Sequence, residues 1–169
     1  MSNNLDVLIN KIGFEIVNKK IIEKNLIDKM LGVLANDGVY AWWVYTKKEL
    51  NWKFVSDEAK FKEFEFIKLI LLLNEFDYLF GKILLEENIT KICELQKNIE
   101  EKQKEKKDKN NNDKRKLDNE IKKLKEQQNS LINQFFIKLS EDLNNLLFFR
   151  EVIEKILIYA RYHAKAMGD

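Results

Sequence analysis

The sequence predicts an all-α protein, a compact helical bundle with a projecting, charged antiparallel helical hairpin. None of its 169 residues is proline and only five are glycine, while apolar residues recur three and four positions apart through most of the chain. Proline removes a backbone donor and clashes with the preceding helical turn, so its absence leaves long helices unbroken. Because 45% of the residues are hydrophobic, we expect residues 1–169 to form a single helical domain, with 87–139 as a coiled-coil-like hairpin insertion.

The first half of the chain predicts four helices in succession. Helical spacing of apolar residues covers 5–25 and then, in a shorter helix, 26–34. Asn36-Asp37-Gly38 ends that helix, because Asn and Gly tolerate left-handed backbone. The next helix covers 39–50. Ser56-Asp57-Glu58 is typical of a helix start, and the apolar spacing beyond it predicts a helix that continues to about Phe80.

The hairpin is predicted from a change in composition after Glu87. Residues 101–116 contain eight basic residues, four acidic residues and no apolar one. Beyond them, a heptad-like seam recurs at Leu117, Ile121, Leu124, Gln128, Leu131 and Phe135. We therefore expect two antiparallel arms with Asn110-Asn111-Asn112 at the tip. A final amphipathic helix is predicted from about Ser140 to Met167, with its apolar residues at Leu143, Leu146, Leu147, Val152, Ile153, Ile156, Leu157 and Ala160.

The residues that catalysis most often uses are scarce in this chain. His163 and Cys93 are the single histidine and cysteine, and no paired metal-ligand motif, phosphate-binding glycine loop or nucleophile elbow occurs. We assign no catalytic residue, metal or cofactor and expect no enzyme; His163 is interpreted as a surface or partly packed side chain. An unpaired cysteine fits a reducing compartment. The start of the chain has no signal-peptide pattern and no apolar run is long enough to span a bilayer, so we expect a cytoplasmic protein without membrane contact.

Two groups of residues are candidates for binding. The aromatic residues Tyr40, Trp42, Trp43, Tyr45 and Trp52 could stack on bases, but helical spacing favours a place in the core or at a subunit interface. Arg150 and Arg161 are eleven residues apart on the last helix and Lys165 follows one turn later, so the three share a face. Arginine fits phosphate geometry as a fork, although an ordinary polar stripe would look the same. The basic hairpin tip is either a solvated loop or a contact for nucleic acid or an acidic partner.

Two stretches together resemble the small helical subunit of type III, Cmr-type, CRISPR RNA-guided effector complexes. They are MLGVLANDGVYAWWVYTKK at 30–48 and EKILIYARYHAKAMG at 154–168. The first matches an early helix with an Asn-Gly-type break followed by aromatic residues and a basic end. The second matches a closing helix in which aromatic, basic and small residues alternate. The hairpin at 87–139 has no counterpart in that pattern.

The resemblance implies a non-catalytic subunit in antiviral defence. Its partners would be the other subunits of the effector complex, copies of itself, and the backbone of guide RNA and target RNA. It also implies a basic face that contacts the nucleic-acid backbone. From the shared helix face and the concentration of the scarce arginines on it, we expect Arg150, Arg161 and Lys165, with Lys47 and Lys48 after the aromatic helix, to make these phosphate contacts. The alternative is a helical coiled-coil adaptor that mediates protein–protein assembly without nucleic acid.

Overall fold

The computed structural model describes residues 2–168, and every regular element in that range is helical, which confirms the all-α prediction. Two single turns of 3₁₀-helix occur at Asn74–Phe76 and Lys106–Asp108. The α-helices are α1 (Ser2–Asn18), α2 (Lys24–Asp37), α3 (Val39–Glu49), α4 (Glu58–Glu63), α5 (Glu65–Leu73), α6 (Asp77–Phe80), α7 (Glu86–Glu105), α8 (Asn111–Ser140) and α9 (Leu143–Ala166). None of these helices combines the length and apolarity needed to cross a membrane.

The body is organised around α9. Helix α1 packs against it along most of its length, and α2 packs on both α9 and α3. Aromatic side chains fill the space between α3, α8 and α9: Trp43 stacks on Phe136 with 4.1 Å between ring centroids, and Phe149 meets Phe136 edge to face at 5.7 Å. These rings are buried, so the first and last thirds of the chain share one core.

Helices α7 and α8 form the predicted antiparallel hairpin. Asn110 caps α8 by accepting a hydrogen bond from the backbone N–H of Asp113, as its place at the predicted tip requires. Near the body, the hairpin contributes side chains such as Phe136 to the main core. Farther out, Ile99 and Leu117 are buried outside the main core cluster. The outer part of the hairpin therefore has an apolar seam of its own.

The predicted seam of α8 is correct only in its outer part. The residues buried along α8 are Leu117, Ile121, Gln128, Ile132, Phe136 and Leu139, whereas Leu124, Leu131 and Phe135 are only partly buried. From Gln128 to Phe136 the buried positions step by four residues twice in succession, and Leu139 follows three residues later. An α-helix drifts relative to a 3.5-residue repeat, and from Ile132 onward the buried side chains of α8 belong to the main core.

The first predicted helix is shorter in the structure. The helix predicted over 5–25 ends at Asn18, because Lys20 adopts a left-handed backbone (φ 53°). The Ile21 N–H then bonds to the Ile16 carbonyl and the Lys20 N–H to the Val17 carbonyl, which is a Schellman ending. This helix end could not be predicted from the sequence, because the position with left-handed backbone is occupied by lysine and not by glycine.

The helix predicted from Ser56 to Phe80 is interrupted. Asp57 does cap α4 by accepting from the Lys60 N–H, but Phe64 is extended (ψ 139°) and separates α4 from α5. After α6, residues 81–85 are non-helical, and the Asn74 side chain satisfies their backbone by accepting from Ile83 N–H and donating to Leu84 carbonyl. These two hydrogen bonds hold the connection between α6 and α7 in place.

The last helix begins at Leu143 instead of about Ser140, with Asp142 as its cap. Two residues of its predicted apolar set are exposed: Leu143 by 66% and Leu147 by 51%. They recur with Arg150 and Arg161 at heptad spacing, so they lie on the polar face of the helix. The helical period therefore places Leu143 and Leu147 on a different face from the buried residues of the helix, such as Phe149 and Val152.

Candidate nucleic-acid interface

The five predicted contact residues lie on two helices. Lys47 and Lys48 occupy the last turn of α3, and Arg150, Arg161 and Lys165 lie along α9. Cations at a helix C-terminus complement the helix dipole, which accounts for the positions of Lys47, Lys48 and Lys165 on local grounds. Both helices pack on α2.

Both arginines have partners within the chain, and both partners belong to α2. Arg150 donates from Nη2 to the Ala35 carbonyl at 3.0 Å, and Ala35 lies in the last turn of α2, where carbonyls lack an intrahelical partner. Arg161 Nη1 lies 3.8 Å from an Asp28 carboxylate oxygen. Its Nε is buried and has no hydrogen-bond partner among residues 2–168. The arginines thus fasten α2 to α9.

The three lysines differ in availability. Lys47 donates to the side-chain oxygen of Asn133 on α8 at 3.1 Å, and burial lowers its pKa. Lys48 and Lys165 are exposed, and within the described part of the chain neither forms an ion pair or hydrogen bond through its side chain. The structure therefore joins Lys47 to α8 and the arginines to α2, and it leaves Lys48 and Lys165 as free cations.

The aromatic group is largely core. Trp42 and Trp43 are each 1% exposed. The Trp43 indole N–H donates to Asn133 at 2.9 Å, and the Trp52 indole N–H donates to the Lys47 carbonyl at 2.8 Å. Tyr40 is 61% exposed. The preference for core over base stacking is correct for the tryptophans, and Tyr40 is the member of the group with an accessible ring.

The potential nucleophile and metal ligand are both in packed environments. The His163 ring lies 2.8 Å from the Asn10 side-chain oxygen and meets Phe14 edge to face, so it is a partly packed residue near a helix end, as expected. Cys93 is buried, and burial raises the pKa of its thiol to about 11, so the thiol is protonated at neutral pH. Across residues 2–168, no group of three His, Cys, Asp or Glu residues is placed to hold a metal ion.

A surface groove was not found by sequence reasoning. It has a volume of about 720 Å³ and lies between the α6–α7 connection and the α8–α9 turn, where Phe135 and Leu139 contribute apolar lining and Lys138 and Asp142 contribute charge. Leu143 and Leu147 are exposed on the first turns of α9, which begins at this turn. Leu143 and Leu147 precede Arg150 by seven and three residues, and this spacing is the signal in the sequence that they lie on its polar face and not in the core.

Comparison of the chain with protein-family models, with characterised proteins and with solved structures gave no significant match.

Proposed function

We propose that this protein is a non-catalytic small subunit of a CRISPR RNA-guided effector complex, which stacks along the guide–target duplex and contacts nucleic-acid backbone. The main support for the proposal is that the two segments that resemble the family lie close together in the fold. The segments 30–48 and 154–168 are distant in the sequence, yet they belong to α2, α3 and α9, and α2 packs on both other helices. The motifs that resemble the family therefore lie on adjoining helices.

Such a subunit needs little chemistry of its own. Base pairing between guide and target supplies sequence choice, so a protein that lines the duplex needs only phosphate contacts. Lys48 and Lys165 are available for that role without loss of an internal contact. Lys47, Arg150 and Arg161 would each exchange a partner within the chain for a phosphate.

Purification of the tagged chain from its natural host tests the proposal. We expect it to co-purify with a nuclease-protected RNA of guide length and with a polymerase-like large subunit, identified by sequencing and mass spectrometry. A chain that purifies without RNA and without that subunit would contradict the proposal. The neighbouring genes provide an independent check, because they should encode the large subunit.

The second candidate is a helical adaptor that assembles proteins without nucleic acid. Two observations favour it: the internal partners of both arginines, and the groove of about 720 Å³ near exposed Leu143 and Leu147. Nuclease treatment of the purified particle separates the candidates. An adaptor keeps its protein partners after the RNA is digested, whereas a subunit that holds its place through the guide–target duplex is released.

A further inference from the structure

The outer half of α8 carries an excess of unpaired positive charge. Residues 114–125 include six cations: Lys114, Arg115, Lys116, Lys122, Lys123 and Lys125. The two acids in the same stretch are paired with lysines across the hairpin: Lys102 of α7 pairs with Glu120 at 2.6 Å, and Lys106 of the 3₁₀ turn pairs with Asp118. None of the six cations forms an ion pair with a residue in 2–168. Within 114–125, both acids are therefore paired across the hairpin, whereas the six cations are left without an ion-pair partner.

The outward face of α7 is different. Glu94, Lys97, Glu101 and Lys104 follow one another at spacings of three and four residues, so opposite charges alternate along one line of the helix. This face is close to neutral. The hairpin therefore has a cationic side on α8 and a balanced side on α7.

The cations of α8 are arranged in rows. Arg115 and Lys122 are seven residues apart, as are Lys116 and Lys123, so each pair is separated by about 10 Å along the helix axis. These rows point away from the seam formed by Leu117. The outer part of the hairpin, 101–127, makes no hydrogen bond or ion pair with the body among the residues that the structure describes, so the rows are open along their length.

We propose that the outward face of α8 at 114–125 binds the phosphate backbone of nucleic acid without sequence preference. Phosphate is favoured over an acidic protein because this face has no exposed apolar side chain to form the dry centre of a protein interface. A membrane surface is disfavoured for the same reason, since no apolar group is available to enter the lipid. Rows of flexible lysines suit a repeating charge whose bases need no readout.

Two matched triple variants of the full chain test this face. One is Lys116→Glu with Lys122→Glu and Lys123→Glu; the control is Lys97→Glu with Lys104→Glu and Lys107→Glu, which changes the net charge equally on the other side of the hairpin. The probe is a fluorescent single-stranded oligouridylate, titrated between 50 and 200 mM salt. We expect weak, salt-dependent binding by the unaltered chain. The α8 variant should lose about tenfold or more in affinity and about 2 in salt slope, at roughly 0.7 per lost contact, and the control less than about threefold.

Equal losses in the two variants, or no loss in either, would overturn the proposal. So would binding to anionic vesicles or to poly-glutamate that matches binding to RNA and responds to the same variant. Circular dichroism verifies folding, and Lys→Gln replacements at the same α8 positions repeat the test if the glutamate variant unfolds. The assay uses the isolated chain, so its result is independent of whether the chain joins an effector complex.

Discussion

At the scale of single residues, Gly13 marks a close approach of α1 and α9. A Cβ atom at this position would lie 2.9 Å from the Tyr159 Cβ and 3.0 Å from the Ala160 nitrogen. Two of the obstacles are backbone atoms, the Ala160 nitrogen and the Ile156 carbonyl oxygen, so the neighbouring helix itself would have to move. Glycine is therefore required at position 13 because it has no side chain. Its conformational freedom is not needed there, since its backbone is ordinary α-helix.

Gly13→Ala should destabilise the fold by about 1–3 kcal/mol, because overpacking outweighs the better helix propensity of alanine. Gly32→Ala is the matched control. Gly32 lies within α2 with nothing within 4 Å of the added Cβ, so the change should stabilise by about 0.5–1 kcal/mol. Chemical denaturation of both variants measures the difference. Equal effects at the two sites would show that α1 and α9 are not in close contact.

Cys93 should resist alkylation in the folded protein. Its pKa of about 11 leaves almost no thiolate at pH 8, and its side chain is buried. Iodoacetamide should label it at the rate of unfolding, and rapidly in denaturant. Since the folded pKa is raised from 9.0, its stability contribution is intact below about pH 9 and falls as pH rises towards 11. Labelling at the rate of a free thiol in buffer would contradict this environment.

At the scale of elements, local signals were predictable and distant partners were not. The Asp57 cap, the aromatic helix α3 and the hairpin tip at Asn110 depend on neighbouring residues, and the sequence predicted all three. The stop at Lys20 uses left-handed backbone in a residue that rarely adopts it. The contact of Arg150 with Ala35 joins residues 115 apart, and no periodicity in either helix reveals it. The sequence therefore predicted which helices carry the candidate residues, but it did not predict the contacts of Arg150 and Arg161 with α2.

The apolar seam of the hairpin contains a polar layer at Gln128. Gln128 is fully buried, and its amide N–H₂ donates to the Ile92 carbonyl and to Gln96 at 3.2 Å each, while its own oxygen has no partner among the described residues. Gln128→Leu removes that unpaired oxygen and should stabilise by about 1 kcal/mol. Gln127→Leu on the exposed side should change stability by less than about 0.5 kcal/mol. Denaturation midpoints compare them, and a clear loss in Gln128→Leu would show that its two hydrogen bonds outweigh the orphaned oxygen.

The hairpin end should be dispensable for folding of the body. Replacing residues 101–116 with a short Gly-Ser loop removes no apolar side chain and two interhelical ion pairs, those from Lys102 and Lys106. Exposed pairs contribute little, and loop closure changes by about 1 kcal/mol or less. The melting temperature of the body should therefore stay within a few degrees. A collapse of thermal stability would mean that this segment supports the core.

At the scale of the whole molecule, α2 contacts both helices that carry candidate nucleic-acid contacts, α3 and α9. It contacts α3, which carries Lys48, and it accepts both arginines of α9. Charge at this side of the protein is thus divided between free lysines, which are open to a partner, and arginines, which contact α2. Because the lysines and the arginines differ in this way, variants of the two sets should have different effects on nucleic-acid binding and on stability.

Lys48→Glu with Lys165→Glu should weaken target RNA binding by the assembled particle for all sequences alike. The salt slope should fall by about 1.4–1.8 for two lost contacts. Arg150→Glu with Arg161→Glu should instead lower the melting temperature of the isolated chain, because it breaks both contacts to α2. Filter binding across a salt series and thermal denaturation measure the two effects. An unchanged slope in the lysine variant would exclude these two residues from the interface.

The pairing of α1 with α9 also bears on how the chain is made. The contact between Asn10 and His163 joins residues 153 positions apart, so α1 leaves the ribosome long before its main partner is synthesised. At about 5–20 residues per second, that delay is roughly 8–30 seconds. Throughout it, the apolar face of α1 that α9 later covers stays uncovered, including Ile12 and Ile16, both fully buried in the finished fold. During translation α1 should therefore be a binding site for chaperones on nascent chains, and release of the complete chain should end that interaction.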